Sequence, residues 1–310
     1  MRSVVVLLTT VFLLISCRTT RDSEPESSTL VYRFTIDQIP EDAGEVSAWI
    51  PVPESDQFQT ITNLKIEPAP TFHTDEEYGN KLAYISWSAP HDQVSITMSY
   101  KALRKEESVH TETTPSRLLK RFLEPDQLGI IDERVKKWAV ETVKGKATTM
   151  EKGRAIYDFV LSHMTYAKPT SGGWGRGDTA RACETPYGNC SDFHALFVSL
   201  ARAAGIPARF HYGYSLKPDG TVGPHCWAQF FDEQHGWVPV DISEADKDPS
   251  RADYFFSHLS DNRIDYTVGR DIVLNPKQKG EPLNFLITPY VEVDGQEYHS
   301  VKTDGKHATQ

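Results

Sequence analysis

A cysteine that opens an amphipathic helix, with a histidine and an aspartate on strands downstream, is the set of residues in this chain that could do chemistry. The cysteine lies in Tyr187-Gly188-Asn189-Cys190-Ser191-Asp192-Phe193-His194. His225 follows in His225-Cys226-Trp227-Ala228, and Asp241 ends Trp237-Val238-Pro239-Val240-Asp241. A free thiol has a pKa of about 8.5, and only the thiolate is strongly nucleophilic. A helix N-terminus and an adjacent imidazolium both stabilise that anion. In such a set Cys190 attacks a carbonyl, His225 holds the thiol proton and then delivers it to a leaving amine, and Asp241 orients the imidazole and favours its charged form. The free backbone N–H of Cys190 is one oxyanion donor. Trp174 and Tyr187 are candidates for the second, and the sequence does not choose between them.

The elements that must position these residues can be read from periodicity. Phe193, Leu196, Phe197, Leu200 and Ala204 recur at helical spacing, Asn189 and Asp192 form a capping-box-like start, and Gly205 and Pro207 stop the helix. Strands are expected over 208–216, 225–231 and 237–241. The last two are joined by Asp232-Glu233-Gln234-His235-Gly236, which makes them an antiparallel hairpin. Centring the turn on Glu233 sets His225 directly opposite Asp241, with Cβ atoms about 4.5–5.5 Å apart. Trp227, Gln229, Trp237 and Pro239 then share their face, while Cys226, Ala228 and Phe230 point away. That split disfavours a metal site built from Cys190, His194, His225 and Cys226, so neither metal nor cofactor is expected. His194 would pair with Asn189 or flank the site, and His211 has no evident carboxylate opposite.

Upstream, 132–144 carries Val135, Trp138, Ala139 and Val143 on one helical face, and Thr148-Thr149-Met150-Glu151 reads as a capping box for the next helix. The Gly-rich run 171–177 lacks the strand-to-helix setting and the Lys-Ser/Thr ending of a phosphate loop. Residues 30–104 alternate in short runs such as Val31-Tyr32-Arg33-Phe34-Thr35-Ile36, with Pro, Gly, Asp and Asn between them, which suggests a small antiparallel sandwich. The charged stretch 101–114 reads as a linker. Near the end, Asp294-Gly295 between Tyr290-Val291-Glu292-Val293 and Gln296-Glu297-Tyr298-His299 reads as a type I′ hairpin turn.

The amino terminus reads as an export signal, residues 1–16, followed by a polar tether, 17–29. Arg2 precedes an apolar stretch too short to span a bilayer, and Leu14-Ile15-Ser16-Cys17 resembles a bacterial lipobox that would place a lipid on Cys17. With Arg18 after Cys17, the resemblance favours the outer membrane, facing the periplasm. The net charge of -10, without a Lys/Arg-rich run, argues against nucleic acid. Of the four cysteines, Cys17 is set aside for lipid. Three thiols in an oxidising compartment leave one odd, so if Cys190 is free, Cys183 and Cys226 are either disulfide partners or small buried apolar residues.

The runs Gly188-Asn189-Cys190-Ser191-Asp192-Phe193-His194-Ala195-Leu196-Phe197, Leu200-Ala201-Arg202-Ala203-Ala204-Gly205-Ile206-Pro207-Ala208-Arg209, His225-Cys226-Trp227-Ala228 and Gly236-Trp237-Val238-Pro239-Val240-Asp241 resemble, as a set, the core of the bacterial transglutaminase-like superfamily. The resemblance covers about 130–245. It implies an α+β, papain-like core in which a nucleophile helix packs on an antiparallel sheet bearing the histidine and aspartate. It carries Cys190 over as nucleophile, His225 as base and acid, and Asp241 as its orienting partner. Domains are then expected at 30–104 (β) and 105–310 (catalytic, with a strand-rich extension over 246–310). The expected function is an exported hydrolase or acyltransferase of amide or isopeptide bonds in peptides or proteins, peptidoglycan stem peptides among them. The alternative is a non-catalytic docking module on the same fold.

Overall fold

The structure, a computed structural model, describes residues 27–168 and 174–309. The export signal, Cys17 and residues 171–173 of the Gly-rich run therefore lie outside the described residues. Ser27 and Ser28, assigned above to the tether, already belong to a strand, Ser27–Ile39, and pair with Leu103 and Ala102. Sheet pairing outweighs their polar character. Along this strand Leu30, Tyr32, Phe34 and Ile36 are buried while Val31 and Arg33 face out, the period of two that a half-buried strand requires.

Two antiparallel sheets share an apolar core around that strand. The first runs Val301–Thr309, Ser27–Ile39, Asp92–Arg104, Gln59–Glu67; the second runs Gln296–Glu297, Tyr290–Val293, Glu45–Pro51, Lys81–Ser88, Thr71–Thr74. The closing strands thus return to the N-terminal sheets, so part of 246–310 completes the β layer. Asp294 and Gly295 both have positive φ, 49° and 77°, as a type I′ turn needs. The Asp294 carboxylate also accepts hydrogen bonds from Gly44 N and Glu45 N at 3.0 and 2.8 Å.

The stretch 101–114 is not a solvated linker. Asp92–Arg104 runs into it, Glu107–Ser108 forms a short strand, and Arg104 and Glu107 pair at 2.6 Å with both residues 4% exposed. Glu112 pairs with Arg209 at 2.6 Å, and the Gln229 amide donates to Glu107. Buried charges persist only when partnered, so these residues bracket the β layer against the second unit.

That unit is an antiparallel sheet in the order Gly236–Val240, Val222–Asp232, Ala208–Leu216, Arg263–Val268, covered by the helix Cys190–Ala203. Residues 191–202 of this helix are all buried, which makes it the central helix. The helices Glu133–Thr142 and Thr149–His163 flank it, the latter starting with the expected Thr148–Glu151 capping box. The strand Arg263–Val268 was not read from the sequence. It pairs with Ala208–Leu216 through an irregularity at Tyr212 and Gly213, where a Cβ on Gly213 would sit 1.8 Å from the Ile264 carbonyl oxygen. Backbone cannot yield there as a side-chain tip can. Gly213→Ala is expected to destabilise the fold by about 1–3 kcal/mol, read as a lower urea midpoint at unchanged slope; an unaltered midpoint would show that these strands are not so tightly apposed.

Candidate active site

Cys190 is the first residue of its helix, and its neighbours are fixed by the cap. Asn189 Oδ1 accepts from Ser191 N at 2.9 Å and Ser191 Oγ at 2.6 Å. Asp192 accepts from Asn189 N at 3.0 Å, completing the capping box, and from Gly177 N at 3.1 Å. Asn189 Nδ2 donates to the Gly175 carbonyl, and a Cβ on Gly175 would lie 1.9 Å from Asp192. The described part of the Gly-rich run therefore clamps the helix start. Burial pushes the Asp192 carboxyl up, and the two backbone donors partly offset this. Among the described residues the Cys190 N–H has no hydrogen-bond acceptor, which leaves it available to an oxyanion.

His225 and Asp241 meet, though not by the expected register. Asp232 pairs with Gly236 and Ala228 with Val240, so the turn is centred on Gln234 and the pairing is displaced by two residues. The ladder to Gly236–Val240 ends at Ala228 opposite Val240, so Asp241 does not lie directly opposite His225, whose paired neighbour is Gly213 on the other side of its strand. Asp241 stands one residue beyond the strand end, as the N-cap of the helix Ile242–Lys247. A displacement of two preserves the face of every side chain, so Asp241 becomes a diagonal neighbour and still reaches: His225 Nε2 and Asp241 Oδ2 are 2.7 Å apart, both residues buried. The other carboxylate oxygen accepts from Ser243 Oγ at 3.0 Å and Glu244 N at 3.2 Å.

The electrostatics follow from this contact. Burial opposes the His225 charge, but the Asp241 carboxylate more than offsets it, and the imidazole is pushed up to about 9. Burial likewise opposes the Asp241 charge; His225 first, then Arg263, hold that carboxyl well below its ordinary range. The half-buried Cys190 thiol is drawn well down by hydrogen bonds from the Cys226 thiol and then from His225, against the cost of burial. Since His225 Nε2 is engaged by Asp241, Nδ1 is the nitrogen left for the thiol. Burial, then the neighbouring Cys190, raises the Cys226 thiol, whose sulfur lies 3.9 Å from His194 Nδ1.

Of the two alternatives for Cys183 and Cys226, the structure shows no bridge: Cys183, Cys190 and Cys226 are all free. Cys226 faces the Cys190 helix, while Cys183 sits on the helix Thr179–Glu184 within reach of Arg134. His194 does not pair with Asn189. It is fully buried, its Nε2 accepts from Ile242 N at 3.1 Å, and burial keeps it neutral. His211 does have a carboxylate, Asp265 Oδ2 at 2.7 Å, supplied by the strand missed in the sequence. Trp174 and Tyr187 are half-exposed, and Trp174 packs on Tyr166 with ring centroids 5.7 Å apart. Arg263, also missed, donates to Asp241 Oδ2 at 3.1 Å. The alternation of Ile264, Tyr266 and Val268 with polar residues was the signal that could have found its strand. Among the described residues, His225, Asp241 and Glu244 are the cluster with donor atoms close enough for a cation. Asp241 already binds His225 and Arg263 there, so the cluster is internally balanced without an ion.

A half-buried thiol at the start of a helix thus lies over an antiparallel sheet that carries a buried imidazole and, just past a strand end, a buried carboxylate. Residues 136–242 match the family model of the transglutaminase-like superfamily. The chain is 25% identical over 307 residues to an uncharacterised protein of Haemophilus influenzae, covering 83% of each chain. A protein-glutamine gamma-glutamyltransferase of Pseudomonas aeruginosa is 33% identical over 67 residues, 19% of this chain and 10% of that protein. A solved structure from Cytophaga hutchinsonii, provisionally named a cysteine protease, superposes with a TM-score of 0.60 at 15% identity, covering 92% of this chain and 90% of that one. This likeness bears on the fold.

The raised His225 makes a pH test possible. Its imidazole binds a proton more tightly folded than unfolded, so its contribution to stability is complete below about 6.5 and is lost as pH rises through about 9. The lowered Cys190 thiol contributes with the opposite sign, so the test needs a Cys190→Ser background. There, stability should fall between those two pH values, and Asp241→Asn should flatten the slope. Parallel pH–stability curves with and without Asp241 would contradict the assignment.

Proposed function

We propose that the chain is an exported thiol-dependent hydrolase or acyltransferase acting on amide or isopeptide bonds of peptides or proteins. The observation that carries this reading is the buried 2.7 Å contact between His225 and Asp241 beside a thiol at a helix start. Cys190 attacks the carbonyl carbon, a C–S bond forms, and the oxygen charge is met by the Cys190 N–H. His225 gives its proton to the amine as the C–N bond breaks, leaving a thioester. Water, or a second amine, then loses a proton to His225 and attacks the thioester; the C–S bond breaks and the thiolate–imidazolium pair is restored. Water is the more abundant acceptor, so hydrolysis is the reading carried forward. The short stretch similar to a glutamyltransferase supports the amine branch.

The lipobox-like Leu14-Ile15-Ser16-Cys17 supports a lipid-anchored protein facing the periplasm, where peptidoglycan stem peptides and exported proteins are within reach. No described helix is long and apolar enough to cross a membrane. In the assay, the protein is incubated with peptide libraries with and without an amine donor, and adducts are read by intact mass. Wild type is expected to accumulate a thioester on Cys190 and to release hydrolysed product. Asp241→Ala should lower turnover by about 10³-fold or more while the fold is retained. Iodoacetamide reacting with Cys190 only above about pH 8.5 would contradict the enzyme reading and favour a docking module.

A further inference from the structure

Arg263 opens the strand Arg263–Val268 and is 2% exposed. Its Nη2 donates to Asp241 Oδ2 at 3.1 Å, the same oxygen that His225 uses, and lies 3.5 Å from Glu244. Its Nη1 donates to Ser215 Oγ at 3.0 Å and Asn262 Oδ1 at 2.7 Å. One arm of the guanidinium is therefore anchored on the sheet and the other on the carboxylate, which a flexible lysine would not reproduce.

We propose that Arg263 is a positioning residue of this site, fixing the Asp241 carboxylate and balancing its charge so that the proton moves within a buried cluster of constant net charge. The inference rests on the thiol-nucleophile reading above. In the resting site the thiolate, imidazolium, carboxylate and guanidinium sum to zero. Once His225 has passed its proton to the leaving amine, the thioester and neutral imidazole leave the carboxylate and guanidinium, again zero. Without Arg263 both states would hold an uncompensated negative charge in a buried site, which is costly. The carboxylate would then grip the His225 proton more tightly, and an imidazolium that is too weak an acid protonates a leaving amine poorly.

The other titratable groups facing this pair do not replace the guanidinium. Cys190 and His194 face it from the nucleophile helix, Cys226 from the strand, Tyr157 from the helix Thr149–His163, and Glu244 and Lys247 from the helix Ile242–Lys247. His194 is held neutral by burial, and Lys247 is engaged with Glu244 at 2.8 Å and with the Tyr166 ring.

The test is an NMR titration of the His225 imidazole nitrogens in wild type, Arg263→Gln and Arg263→Lys, with iodoacetamide labelling of Cys190 in the same samples. Wild type should titrate near 9, Arg263→Gln about one pH unit higher, and Arg263→Lys between the two. A role confined to structure would lower thermal stability and leave the titration where it is in wild type; that result would overturn the proposal. If Arg263→Gln does not fold, Ser215→Ala, which frees one arm of the guanidinium, should move the titration upward by a smaller amount, and an unmoved titration would overturn the proposal equally. Failure of the underlying reading looks different: wild-type Cys190 would then label only above about pH 8.5, whatever stands at position 263.

Discussion

The hydrogen bond between His225 Nε2 and Asp241 Oδ2 is the constraint on which the rest of this site depends. Neither partner is stable in its place alone. A fully buried carboxylate would take up a proton, and a buried imidazole would shed one. Facing each other at 2.7 Å, each keeps the other charged. The imidazole proton that results draws the Cys190 thiol towards thiolate, and in the proposed function the N–H at the start of the same helix meets the charge that develops on a substrate carbonyl. In the proposed function, reactivity comes from a chain of charges in which each member is held by the next.

The fold supplies that chain by ending elements at the right places. Asp241 is presented where a strand stops and a helix starts, and its second oxygen caps that helix through Glu244 N. His194, one turn below Cys190, accepts the Ile242 N–H and ties the nucleophile helix to the residue after Asp241. Behind His225, Trp227 lies between it and His211, with ring centroids 6.3 and 5.8 Å apart. His211 is held by Asp265, whose backbone meets Gln59 of the β layer, and Gln229 meets Glu107. The β layer therefore buttresses the face of the sheet that carries the histidine.

What the sequence disclosed depended on how local each signal is. The capped Cys190 helix, the three strands after it and the Asp294-Gly295 turn were legible because each depends on residues a few positions apart. The hairpin register was not. Asp232 accepts from Gln234 N and His235 N, and Gly236 adopts φ 90°, so the turn takes one centre when the spacing allowed another. The assignment of His225 to Asp241 survived because an error of two leaves both on the same face. Residues such as Glu107 and Glu112 were misread as part of a linker because a charge run in sequence does not show that its partners, Gln229 and Arg209, are distant and buried. Arg263 and Asp265 escaped for the same reason. Their strand lies far from the motifs, and their partners, Asp241 and His211, lie 22 and 54 residues away in the chain.

The account stands on Cys190 being a thiolate paired with a charged His225 at neutral pH. The most direct measurement is the ultraviolet thiolate absorbance of wild type minus that of Cys190→Ser, followed across pH with Cys183 and Cys226 present in both. The account requires a difference already present at pH about 7, well below the ordinary thiol value of about 8.5. No difference below that value would mean that the His225–Asp241 pair does not charge the thiol, and would contradict the account.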